Sequence, residues 1–454
     1  MRREEIDMLK GNLWTGMLAF TVPLMLTNIL QLCFNAADMI VVGRFVGKES
    51  LAAVGSTTNI VLLLINIFIG ISVGANVVTA QCIGEGAEKD VRDSIRTAVT
   101  FSLAAGLGLI LLGQVIARPI LEMLGSPADV IGKSETYLRV YFCGMPVMML
   151  YNFSTSTLRA FGDTKRPMYY LTLSGVINLV LNVIFVVAFH MDTFGVGLAT
   201  VLSQAVSALL TVRRLSLLDE RYRFRITDLG FRPDMLKRIL RVGVPAGLQN
   251  IMFSIANLTV QSSVNSFGST VMAAATASSN VENITYLAMK AFQYANLSFV
   301  GQNYGAGNLL RIRKVMRVST VLAVGFGILL GYISIALGPY IFRIYSGDPE
   351  VIAYASRKLL IINSMYFLSG IQDVYSGGIK GFGRSTVAMV NGIVGVCLTR
   401  LIYIWTVFAH WPTFDVLFAV YPVSFAVTAL LMCVTFYILY RRILREEGTK
   451  PARP

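Results

Sequence analysis

The sequence predicts an all-α membrane protein with twelve transmembrane helices in two six-helix lobes, related by a pseudo-two-fold axis along the membrane normal. Three observations predict it. Of 454 residues, 55% are apolar and 14% charged, with a mean hydropathy of +0.65, whereas charged side chains make up about a quarter of an ordinary soluble domain. Twelve stretches are long and apolar enough to cross a bilayer, which takes about 20 residues. The chain also overlays on itself at an offset of about 221 residues.

The twelve stretches begin near Leu13, Leu51, Ile95, Tyr137, Met168, Gly195, Ile239, Val271, Val315, Leu359, Thr386 and Phe414. The first is preceded by a short polar lead-in and runs to about Val42, too long for the apolar part of a cleaved signal peptide. Five scattered cysteines (Cys33, Cys82, Cys143, Cys397, Cys433) sit in or beside apolar runs. They suggest neither a disulfide framework nor a paired-cysteine metal or redox site.

The net charge of +14 is distributed unevenly. With the N-terminus inside, the cytoplasmic loops and tails hold 29 of the 39 Lys and Arg, the opposite loops hold eight, and Lys290 and Arg400 lie inside apolar segments. Positive-inside asymmetry of this kind puts both termini in the cytoplasm. The basic stretch from Arg213 to Arg241 is then a loop between lobes, near anionic head groups, rather than a nucleic-acid site. The expected division is 1–218 for the N-terminal lobe, 219–238 for the linker, 239–441 for the C-terminal lobe and 442–454 for the tail.

The repeat is carried by matching motifs. Phe20-Thr21-Val22-Pro23 with Asn28 and Asn35 matches Val242-Gly243-Val244-Pro245 with Asn250 and Asn257. The loop from Gln81 through Gly84 and Gly86 matches that from Gln302 through Gly305 and Gly307. Leu158-Arg159-Ala160-Phe161-Gly162 matches Ile379-Lys380-Gly381-Phe382-Gly383, and the only two histidines, His190 and His410, also correspond. Each unit has an even number of helices, so the two copies run in the same direction through the membrane.

Few ionisable groups fall inside the apolar segments, where each costs about 2.5–3.5 kcal/mol at a helix centre. Asp38 has Asn35, a candidate for the substrate or a second coupling site, one turn before it on the same face; with Arg44 close behind, Asp38 is either an intramembrane carboxylate or an aspartate at the outer interface. Asn178 and Asn182, four residues apart, share one stripe and suit either a polar site or a hydrogen bond to a neighbouring helix. In the second half Glu282, Lys290, Asp373 and Arg400 stand in apolar stretches. Glu282 and Asp373 are candidates for a second coupling site or a substrate anchor, or else for neutralising Lys290 and Arg400. Met149 (with Met145, Met148, Tyr151 and Phe153) and Tyr286 and Met289 (with Phe292 and Tyr294) offer the adaptable, aromatic surface that suits varied hydrophobic cations. There is no GxxxxGK[ST] nucleotide loop, and no Ser/His/Asp, paired-Cys or HExxH arrangement, so neither ATP coupling nor an enzyme activity is expected.

The opening pattern FTVPLMLTN…NAADMIVVGRFVGKESLAAVG, the QxxGxG loops and the LRAFGD and IKGFG turns resemble the multidrug and toxic compound extrusion (MATE) family over essentially the whole chain. The GxxxDR-like signature of the major facilitator exporters is missing. The resemblance implies an antiporter, working by alternating access and coupled to H⁺ or Na⁺, that exports lipophilic organic cations. It implies Asp38 as the principal acidic residue, with Asn178, Asn182, Thr200 and the Val196 carbonyl matching the oxygen donors of a sodium pocket, and Tyr137 matching a tyrosine that hydrogen-bonds to the aspartate. Where the family pocket carries an aspartate this chain has Asn182, one negative charge fewer. With Asp38 alone the pocket carries −1, which one proton or one Na⁺ neutralises; Na⁺ is therefore a candidate ion at Asp38, Asn178, Asn182 and Thr200. The alternative is a lipid-linked oligosaccharide flippase of the same wider superfamily, which would need a cavity rich in Arg and Lys. A monomer in a bacterial-type inner membrane is expected, with small drug-like substrates, no cofactor and no nucleic-acid partner.

Overall fold

The computed structural model describes residues 6–45, 47–123, 125–127 and 130–448, and among these residues it is helical without strands. The helices are α1 (Leu13–Phe45), α2 (Lys48–Glu85), α3 (Glu88–Met123), α4 (Ile131–Cys143), α5 (Met145–Ala160), α6 (Lys165–Val183), α7 (Asp192–Ser216), α8 (Pro233–Asn265), α9 (Ser269–Gly305), α10 (Leu309–Tyr345), α11 (Pro349–Asn363), α12 (Tyr366–Gly381), α13 (Ser385–Gly392), α14 (Thr399–Tyr403) and α15 (Phe414–Gly448). Helix stands at each of the twelve expected places. Among the described residues, nine helical spans are long and apolar enough to cross a membrane. The remaining three places are α9, which is rich in polar residues, and the pairs α4/α5 and α11/α12. The first pair breaks at Gly144, and Pro146, lacking an N–H, stands in the first turn of the next helix. The second breaks between Asn363 and Tyr366.

The outer faces are apolar where water would penalise them. On α3, Leu107, Leu111, Leu112 and Val115 are exposed, Leu111 and Val115 by more than 70%, while Ser94, Thr97 and Ser102 of the same helix are buried. Apolar outside and small or polar inside is the pattern of a helix facing lipid. The protein is a multi-pass membrane protein.

The chain packs as two compact units. Unit 1 comprises Met1–Ile6 and Leu26–Gly247, and unit 2 comprises Asp7–Met25 and Leu248–Pro454. The chain therefore changes unit between Ile6 and Asp7, inside α1 and inside α8, the last two changes close to the helix-internal prolines Pro23 and Pro245. Within unit 1, α3 lies against α4 and α5: a Cβ on Gly106 would meet Pro146 Cα at 2.4 Å, and one on Gly113 would meet the Phe142 ring. The core there is built from residues such as Ile95, Leu138, Phe142 and Phe153. The basic segment after α7 folds onto α3 in the same unit, with Arg96 donating to the Leu229 carbonyl at 3.2 Å and Gly230 N to Thr100 Oγ1 at 3.0 Å.

Unit 2 repeats this plan with its own residues. Gly327 of α10 takes the place of Gly106, its Cβ position 2.8 Å from Phe367 Cα. The lead-in is anchored here, where Asn303 and Arg311 both donate to the Met8 carbonyl, at 3.1 Å each. Three pairs of left-handed glycines recur 221 residues apart: Gly47 and Gly268, Gly86 and Gly307, Gly162 and Gly383. A wide π turn occurs at Ile184–Ala188 and again at Ile404–Phe408.

A candidate cation site on α1, α6 and α7

Asp38, Asn178, Asn182, Thr200 and Val196 come together inside unit 1. Asn182 Nδ2 donates to Asp38 Oδ1 at 2.6 Å. Asn178, one turn earlier on α6, presents its amide to the same carboxylate; with its nitrogen facing Asp38 it donates to Oδ1 at 2.6 Å and reaches Oδ2 at 3.3 Å. An amide oxygen in that position would instead require a proton on Asp38. The other end of the Asn178 amide lies 3.5 Å from Thr200 Oγ1, which donates to the Val196 carbonyl at 3.0 Å. The four-residue spacing of the two asparagines places them on one stripe, and their side chains are 3.3 Å apart.

Asn182 is fully buried, and among the described residues its side-chain oxygen has no hydrogen-bond donor. An unsatisfied buried oxygen is costly, and the cluster offers besides it a carboxylate, a threonine hydroxyl and a backbone carbonyl. That donor set is all oxygen and suits a hard monovalent cation or a proton. Tyr137 is buried within electrostatic reach of Asp38 and packs on Tyr141 with ring centroids 6.0 Å apart; among the described residues no hydrogen bond joins it to Asp38. Asn35 is exposed and stands outside the cluster.

The second-half candidates are arranged as buried pairs. Asp373 receives Lys290 Nζ at 3.0 Å, and Glu282 receives Lys358 Nζ at 3.0 Å. Arg400 pairs with neither carboxylate; it donates to Asn257 Oδ1 at 2.5 Å and to Ser424 Oγ at 3.1 Å, with its guanidinium 4.4 Å from the Tyr421 ring centre. Tyr286 is exposed, whereas Met149 and Met289 are packed in the interiors of their units. Lys358 and Lys380, which the charge count along the sequence places in loops, are only 3% and 4% exposed. For Lys380 the signal was its seven-residue distance from Asp373, which puts both on one face of α12. The buried cluster in which Asp163 accepts from Arg214 at 3.0 Å and from Arg166 at 2.7 Å was likewise not anticipated. All five cysteines are free. Cys82, Glu85 and Asp90 bring their donor atoms within 4.8 Å of one another, but only Cys82 is buried.

The MatE family model matches residues 23–184 and again residues 245–406. The chain belongs to the MatE family. The two matches start 222 residues apart, in line with the repeat read from the motifs. The chain is 29% identical over 445 residues to the probable multidrug resistance protein YoeA of Bacillus subtilis, covering 95% of each chain. It is 24% identical over 434 residues to the FAD transporter of Shewanella oneidensis, covering 94% of each. An outward-facing structure of a multidrug resistance MATE family transporter of the MOP superfamily superposes with a TM-score of 0.90 at 20% identity, covering 97% of this chain and 98% of that one. At that identity the superposition establishes the MATE fold alone.

Proposed function

We propose that this MatE protein is an efflux antiporter that exports lipophilic organic compounds, the organic cations expected from sequence among them, by alternating access in exchange for H⁺ or Na⁺. The observation that carries the reading is the cluster at Asp38: one carboxylate, two amides aimed at it, and a buried Asn182 oxygen with no donor. The charge is −1, so a single monovalent cation neutralises it. A charge moving through the membrane potential gains about 2.3 kcal/mol per 100 mV, enough to bias a two-state carrier by tens-fold.

In this reading the ion enters from outside, binds Asp38 and releases the outbound compound; the termini face the cytoplasm, and the chain works as a monomer in the cell membrane. The relatives named for multidrug resistance support efflux as the direction of transport. The test is ethidium efflux from proteoliposomes, with a pH gradient and a sodium gradient imposed separately. Efflux accelerated by one gradient supports the proposal and names the ion. Efflux indifferent to both overturns it.

A further inference from the structure

The charges buried in unit 2 do not balance. Lys358, Lys380 and Arg400 are each no more than 4% exposed, and Lys290 keeps 13% of its side chain exposed. Among the described residues two carboxylates stand with them, Glu282 and Asp373, each already committed to a lysine. Among the same residues Arg400 has only neutral partners, and the Lys380 side chain makes no hydrogen bond or ion pair. A buried amine escapes its charge by giving up a proton, but a guanidinium does not; uncompensated charge in a dry interior is expensive, so Arg400 needs an explanation.

We propose that this cluster binds the acid group of an amphipathic aromatic anion, a substrate class for the efflux site; the proposal rests on the efflux reading above. The acid group docks beside Tyr286, which is 36% exposed and within electrostatic reach of both Lys290 and Arg400. Lys290 Nζ already stands 5.2 Å from the centre of the Tyr286 ring, and Arg400 lies over Tyr421, so aromatic faces flank both cations. A planar, acid-bearing molecule finds there an ion pair together with stacking surfaces. Arg400 is the anchor, because its neutral partners leave its charge uncompensated and its planar fork matches a carboxylate.

The contrast with the other half supports this assignment. At the 221-residue offset the Lys290–Asp373 pair corresponds to Ile69 and Asn152 of unit 1. Unit 1 concentrates a negative charge at Asp38, whereas unit 2 concentrates positive charge.

The experiment uses the full-length protein in proteoliposomes and compares carboxyfluorescein, an aromatic anion, with ethidium. The wild type is expected to move both. In Arg400→Gln the ratio of carboxyfluorescein to ethidium transport should fall about tenfold, the equivalent of one charge-assisted contact, and Arg400→Lys should restore part of it. A ratio unchanged in Arg400→Gln, and likewise in Lys290→Gln, overturns the acid site. Ethidium transport without carboxyfluorescein transport overturns it while leaving the efflux reading intact, and transport of neither dye overturns both. A fluorescent prenyl pyrophosphate lipid flipped across the bilayer while carboxyfluorescein stays put would show the cations serving a lipid acid, and would overturn the soluble aromatic class.

Discussion

Asn182 gives its side-chain nitrogen to Asp38 at 2.6 Å and keeps its own oxygen buried without a donor. The carboxylate is thus held by amides that carry no charge of their own. The site's charge state rests on Asp38 alone, which makes it open to direct experiment.

Replacing Asp38 by Asn removes the charge and keeps the shape. Gradient-driven ethidium efflux should fall below about a tenth of the wild-type rate, the loss expected when a charged partner worth roughly 1.5–3 kcal/mol disappears. The protein should still purify as a folded species. Coupled efflux undiminished in this variant would show that the coupling charge lies elsewhere.

Asn182→Asp places a second carboxylate within hydrogen-bond distance of the first. Two such groups cannot both stay ionised without a cation between them. Transport by this variant should therefore become several-fold more dependent on sodium than the wild type, measured as efflux rate against external Na⁺ at fixed pH. A flat sodium response would remove Asn182 from the ion site.

Asp163 is 2% exposed and accepts from Arg214, itself 4% exposed. In Asp163→Ala the Arg214 guanidinium loses its buried partner, at a cost of about 3–5 kcal/mol. Thermal unfolding in detergent should show a clear drop for Asp163→Ala and a smaller one for Arg166→Ala, since Arg166 is 22% exposed. Equal effects would mean that the two arginines share the load.

Gly106→Ala drives a methyl group to within 2.4 Å of the Pro146 backbone, whereas Gly108 has open space where its Cβ would go. The first should destabilise by about 1–3 kcal/mol through overpacking, and the second should lie within about 0.5 kcal/mol of wild type. The pair reads out how tightly α3 lies on α5, and similar melting curves for the two would contradict that packing.

Much of this was legible in the sequence. Helix positions follow from apolar runs, because lipid demands them, and the repeat shows in turn glycines that only a left-handed backbone requires. The Asn178–Asn182 stripe follows from helical periodicity. What stayed hidden depends on tertiary packing. Lys358 and Lys380 sit at the ends of apolar runs, where a hydropathy window assigns them to loops; only their burial, against Glu282 for the first and without an ion pair among the described residues for the second, reveals them. The passage of α1 and α8 from one unit to the other leaves no local signal beyond a nearby proline. Tyr137 keeps its place near Asp38, but the hydrogen bond implied by the family pattern is not formed among the described residues.

The wide turn at Ile184–Ala188 begins two residues beyond Asn182. Such a turn holds one residue more than an ordinary α turn. It also closes the helix that carries both amides. After three more residues the chain enters α7, which brings Thr200 and the Val196 carbonyl back to the same place, so the spare residue sets the register in which the returning helix meets the asparagine stripe.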